Sequence, residues 1–148
     1  MPSDRATATV EVNAPLADVL ATLRDVEHHV NWIPAIKEAK VLTVEDGTGL
    51  PATAHFKASA TVGTDEYTLS YEHTDDTMAW SMVQGKLQTG QEGLWTLEDL
   101  GGGRTRATYD LMIHHNLPLP GFVRRRVIQG LVDDTVNGLV ERMASSYS

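Results

Sequence analysis

The chain has 148 residues, 41% of them hydrophobic and 22% charged. That balance suits one globular domain over residues 1–148 with one core and excludes a disordered segment. Twelve basic residues face 20 acidic ones, a net charge of −8, so no DNA binding is expected, since that needs a basic surface to displace counterions. The absence of cysteine excludes disulfides and thiolate chemistry, and no run of about 18 apolar residues could cross a membrane. Met1–Arg5 has no apolar stretch behind it, so no signal peptide is expected and the location by default is cytoplasmic.

Residues 5–13 alternate Ala6, Ala8, Val10 and Val12 against Thr7, Thr9 and Glu11, the period of a half-buried strand. Ala14-Pro15 opens a helix with Pro15 at the first helical position, and Leu16, Val19, Leu20 and Leu23 share its apolar face. A second short helix is expected over Val26–Asn31, stopped by Pro34. From there the period becomes two. Strands are predicted over Lys37–Glu45, Ala52–Ala60, Glu66–His73, Met78–Met82, Gln88–Glu98 and Thr105–Ile113. Their predicted turns are Asp46-Gly47, Gly63-Thr64-Asp65, Asp75-Asp76, Gly85 and Gly101-Gly102-Gly103.

Pro118-Leu119-Pro120-Gly121 breaks the last strand and starts a long helix. Between Phe122 and Ser145, Val127, Ile128, Leu131, Val132, Thr135, Val136, Leu139, Val140 and Met143 form a broad apolar stripe. Such a helix spans about 36 Å, long enough to lie across a whole sheet. The order β-α-α-β6-α predicts an α+β fold, with an antiparallel sheet of about seven strands and the long helix on one face.

Several motifs carry a family resemblance: Val10-Glu11-Val12-Asn13-Ala14-Pro15, Asp18-Val19, Asp25-Val26-Glu27, Trp32-Ile33-Pro34, Gly93-Leu94-Trp95-Thr96-Leu97, Gly103-Arg104-Thr105-Arg106 and the stretch from Leu117 to Arg126. In this order the chain resembles the helix-grip superfamily of START lipid-transfer domains, birch-pollen allergens and bacterial polyketide cyclases (SRPBCC). Within it the chain is most similar to the bacterial polyketide cyclase/dehydrase and lipid transport group. The resemblance covers nearly the whole chain. It implies a curved sheet wrapped around the C-terminal helix, enclosing an elongated cavity for a hydrophobic ligand. It does not imply catalysis, because these motifs mostly build the scaffold.

Given that fold, the inward faces supply the candidate ligand-binding residues Phe56, Tyr67, Tyr71, Trp80, Met82, Trp95, Tyr109, Thr135 and Leu139. Bulky rings sit among small residues such as Ala54, Ala58, Ala60, Ala107 and Gly93, which leaves room for a ligand or is ordinary core packing. The hydroxyls of Tyr67, Tyr71 and Tyr109 need partners, either a ligand oxygen or backbone. Thr135 faces the cavity or bonds back to the carbonyl four residues earlier. Gly138 marks a close approach of a ligand or strand, or is simply tolerated.

No catalytic motif is evident: there is no nucleophile elbow and no phosphate-binding loop. No metal and no cofactor are expected. His114 and His115 alternate across a strand and cannot easily share one ion, and His55 lies on the face opposite Phe56, toward solvent. Arg124-Arg125-Arg126 falls in the first turns of the last helix, where the dipole disfavours cations. It is a solvated cluster, or it contacts an anionic ligand head, a membrane surface or RNA. Trp32 gates the cavity or seals the short helices onto the sheet.

Three functions follow. The first is a carrier or sensor of a hydrophobic small molecule such as a lipid or polyketide. The second is a polyketide aromatase/cyclase using the same tyrosines as acid and base. The third is an interaction module of the ribosome-associated or quinone-binding type, acting through the arginines. A monomer or weak homodimer is expected.

Overall fold

The computed structural model describes residues 3–60 and 63–147. Strand β1 (Ser3–Val12) leads into helix α1 (Leu16–Arg24) and a 3-10 turn (Val26–Asn31). Six strands follow: β2 (Ile36–Val44), β3 (Pro51–Ala60), β4 (Gly63–His73), β5 (Thr77–Gly85), β6 (Gln88–Gly101) and β7 (Arg104–His115). Helix α2 (Gly121–Tyr147) completes the chain. The sheet order is β1-β7-β6-β5-β4-β3-β2, with every pairing antiparallel. This is the helix-grip arrangement expected from the order of elements, with α2 packed along β1 and β7.

Alternation decides which side of each strand is buried. Asp4, Ala6 and Val12 on β1, Ala54 and Phe56 on β3, and Tyr67, Leu69 and Tyr71 on β4 are buried. So are Met78 and Trp80 on β5, Gln91, Trp95 and Leu97 on β6, and Thr105, Ala107, Tyr109, Leu111 and His115 on β7. From α2, Ile128, Val132, Thr135, Val136, Leu139 and Met143 close over them. The Thr105 hydroxyl donates to the Ala14 carbonyl at 2.7 Å and ties the entry of α1 to β7. At the far edge of the sheet, the Glu27 carboxylate accepts the Val41 N–H at 2.9 Å, which occupies part of the open edge of β2.

Three local expectations are corrected. Pro15 stands at the N-cap, with an extended ψ of 149°, rather than inside α1; its carbonyl accepts the Asp18 and Val19 N–H groups. Gly63-Thr64-Asp65 is not a turn but the start of β4, with Ala60 already paired to Gly63 and Ala58 to Asp65. The reason is Asp65 itself. Its carboxylate accepts the backbone N–H groups of Lys86, Leu87 and Gln88 and the Gln88 side-chain amide, all between 2.8 and 3.1 Å. The strand is thereby locked to the β5–β6 hairpin. Finally, Gly101 still belongs to β6, and the turn to β7 is formed with all three glycines at positive φ, where a side chain would be strained.

Gly138 is explained by a close approach. A Cβ there would come within 1.9 Å of the Trp32 carbonyl oxygen. Trp32 is buried and meets the His29 ring edge-on at 5.2 Å, so it seals the 3-10 turn against α2.

Candidate functional site

A cavity of about 150 Å³ lies at the end of the sheet where α2 begins. Its sheet wall carries Ala58 and Ala60 from β3, Tyr67 from β4 and Tyr109, Leu111 and Ile113 from β7. The opposite wall is one stripe of α2: Arg124, Val127, Ile128, Leu131 and Thr135, the spacing that places side chains on one helix face. Leu117 and Leu119, in the strap between β7 and α2, Leu87 in the β5–β6 hairpin, and Ile33, Ala35 and Ile36 at the entry to β2 complete its apolar lining.

Three of the sequence-derived candidates, Tyr67, Tyr109 and Thr135, lie on this wall. The Thr135 hydroxyl donates to the Leu131 carbonyl at 2.8 Å, so its proton is already committed to the helix. Among the described residues, neither the Tyr67 nor the Tyr109 hydroxyl has a hydrogen-bond partner. Burial pushes both phenols well above their ordinary pKa, and Tyr71 likewise. At neutral pH they are hydrogen-bond donors and not bases.

The other candidates stand outside the wall, in the layer that supports it. Phe56 stacks on Tyr67 with ring centres 5.6 Å apart. Trp95 and Trp80 contact Tyr109 at 4.5 and 5.8 Å. Tyr71 stacks on His73 at 6.0 Å and meets Trp80 at 6.1 Å. Leu139 is fully buried on the later turns of α2, and Met82 packs at the edge of the core. Gly93 does not open space for a ligand, because the Trp80 indole fills the place its Cβ would take.

Of the remaining polar part of the wall the sequence singled out Arg124 as a candidate contact for an anionic head, but not Asp4, Asp65, Gln88 or Gln91, and it weighed His115 only as a metal ligand. Trp80 Nε1–H donates to Gln91 at 2.9 Å, Gln91 to Gln88 at 2.7 Å, and Gln88 to Asp65; Gln91, Gln88 and Asp65 all line the cavity. At the mouth, the buried Asp4 carboxylate accepts the His115 Nε2–H at 2.7 Å and lies 3.3 Å from Arg124 Nε. His115 Nδ1 accepts the Leu117 N–H at 3.1 Å. This fixes the His115 tautomer and ties the strap to the sheet. Parity held the signal: Asp4 continues the inward face of Ala6, His115 that of Ile113, and Arg124 stands four residues before Ile128 on the apolar stripe.

The remaining histidines divide by environment. His55, half-buried, hydrogen-bonds Thr68 at 3.1 Å on the outer face of the sheet. His29 is buried and gives its Nε2–H to the Leu23 carbonyl at 2.7 Å; burial pushes its pKa down to about 4. Among the described residues no group of three His, Asp or Glu side chains is placed to hold a metal ion. No described helix is long and apolar enough to cross a membrane.

Residues 3–146 match the family model described as polyketide cyclase / dehydrase and lipid transport. The chain belongs to this family. No curated protein matches its sequence. Among solved structures, a START superfamily protein from Mycobacterium smegmatis superposes with a TM-score of 0.88 at 21% identity, covering 95% of this chain and 97% of that one. The Zhui aromatase/cyclase from Streptomyces sp. R1128 gives 0.79 at 16% identity, covering 99% and 97%. A STAR-related lipid transfer protein from Xanthomonas axonopodis gives 0.73 at 19% identity, covering 95% and 85%. At these identities the likeness establishes the fold, which this member of the polyketide cyclase/dehydrase and lipid transport family shares with proteins of different activity.

Proposed function

We propose that the chain holds an apolar small molecule, a short lipid chain or a polyketide-like ring, between the sheet and α2, as a carrier or sensor. The observation that carries this reading is the wall itself: aliphatic side chains from two sheet regions, the strap and α2, with two tyrosine hydroxyls that have no protein partner among the described residues. Among the described residues the fully buried side-chain atoms without a hydrogen-bond partner are Arg24 Nε, His73 Nδ1 and Arg124 Nε, so the two tyrosine hydroxyls open onto the cavity, where a ligand oxygen can accept from them. The size is a constraint. Drug-sized ligands occupy roughly 300–1,000 Å³, whereas a cavity of about 150 Å³ takes one benzene-sized ring. One ring or a short chain fits inside the cavity as it stands, and anything longer extends beyond it. Native mass spectrometry of the purified protein tests the reading. A discrete released mass of this class supports it, and a clean unliganded mass that short-chain alcohols and single-ring phenols fail to shift overturns it.

A second reading, cyclisation of a polyketide-like substrate, draws support from the similarity to the Zhui aromatase/cyclase and from the two tyrosines. General acid–base work requires a base within hydrogen-bond reach of the proton it takes. No described residue hydrogen-bonds either hydroxyl, and both ring nitrogens of His115 are engaged. The geometry therefore favours holding over turnover. Turnover of a poly-β-ketone mimic that collapses in Tyr109→Phe while binding persists would reverse that preference.

A further inference from the structure

We propose that the mouth of the cavity is an anion site built by Arg124 and Arg125, and that the bound molecule is an amphipathic organic anion. Its carboxylate or phosphate head would rest on the two guanidinium groups, with its apolar body along Ile128 and Leu131 toward Tyr67 and Tyr109. The inference rests on the cavity being a ligand site.

Charge placement is the first support. In a chain of net charge −8, three consecutive arginines occupy the start of α2, whose first turn holds no acid. Only Arg124 has found a carboxylate; Arg125 and Arg126 make no ion pair among the described residues.

Geometry is the second. Arg125 Nη1 lies 3.1 Å and Arg124 Nη2 3.7 Å from the point a Gly121 Cβ would occupy. Two guanidinium groups therefore converge on the same glycine. Like charges held this close repel, and a shared anion relieves the repulsion through charge-assisted bonds.

Orientation is the third. Asp4 comes closest to Arg124 at Nε, and no described residue accepts a hydrogen bond from the Arg124 Nη groups, so these stay available while His115 holds Asp4 in place. Arg124 also lines the cavity, so head and body of one ligand reach it together. The other carboxylate on the wall, Asp65, is occupied by four N–H donors.

The test compares octanoate, octyl phosphate and 1-octanol by calorimetry on the full chain. At low salt at least one anion is expected to bind about tenfold tighter than the alcohol, and the tighter anion identifies the head group. The margin should shrink as sodium chloride screens the arginines. Arg125→Gln should remove most of it and leave 1-octanol unaffected. Lys40→Gln, the same charge change on β2 at the opposite sheet edge, should change neither. Because Arg125 is exposed and unpaired, its variant stays informative even if Arg124→Gln, which abandons Asp4, fails to fold. Equal affinity for alcohol and anions, or indifference to Arg125→Gln, overturns the anion site and leaves the apolar cavity standing. Binding of none of the three overturns both.

Discussion

The Trp80 indole lies across the backbone of Gly93, its register partner on β6, so closely that a Cβ there would come within 2.0 Å of the ring. From this position the indole donates to Gln91 and supports Tyr109. Gly93→Ala must displace a rigid aromatic body, and overpacking of this kind costs about 1–3 kcal/mol. Urea denaturation should show that loss, together with a shift in tryptophan fluorescence. A variant as stable as the parent would mean that the indole does not sit where it is placed here.

Tyr109→Phe separates stability from binding. The hydroxyl has no protein partner among the described residues, so its removal forfeits no internal hydrogen bond and should leave the stability of the empty protein within about 0.5 kcal/mol, or raise it. Ligand affinity should fall by about 0.5–1.5 kcal/mol, the worth of one hydrogen bond. Thermal melts and calorimetry on the same samples read both. A large loss of stability with binding intact would assign the hydroxyl a structural role.

The scaffold was legible because one periodicity rules each element. Alternation located all seven strands, and the stripe from Val127 to Met143 located α2. The site was legible only in part. Chemistry pointed to aromatic residues, yet which of them face open space depends on where α2 diverges from the sheet, and no local pattern encodes that. Phe56, Trp80 and Trp95 therefore stand behind the wall, with Tyr67 and Tyr109 on it. Asp4, His115 and Arg124 obey the parity of their neighbours, but polar residues on an apolar face make sense only as a group, and that group forms only when β1 pairs with β7, more than a hundred residues along the chain. Asp65 shows the converse: a residue typical of turns became part of a strand because its carboxylate fastens a different hairpin.

His29 sets a pH dependence whose sign follows from burial. Its folded pKa is pushed down to about 4 from an unfolded value of about 6.5. Between these values the unfolded chain binds the proton more readily, so stability rises with pH across this window. The contribution is complete above about pH 6.5 and disappears as pH falls toward 4, a loss of about 3 kcal/mol. His29→Gln can still donate to the Leu23 carbonyl but does not titrate. Melts of both proteins from pH 7 to pH 4 should give a shallower slope for the variant. Parallel slopes would show that the imidazole stays solvated.

Asp4 supports two structures at once, the strap through His115 and the α2 start through Arg124, and two substitutions separate them. Asp4→Asn keeps an oxygen that can accept the His115 Nε2–H but cancels the charge facing Arg124. Because Arg124 retains 23% side-chain exposure, solvent screens part of the effect, and a cost of about 1–2 kcal/mol is expected rather than the full cost of breaking a buried pair. Asp4→Ala also strands the buried His115 donor and should cost about 1 kcal/mol more. Asn at this position releases the Arg124 guanidinium from its internal acid, so octanoate or octyl phosphate should bind Asp4→Asn more tightly than the parent, while 1-octanol should not distinguish them. Stability and affinity then move in opposite directions in one variant, a pattern that general loosening of the fold would not produce.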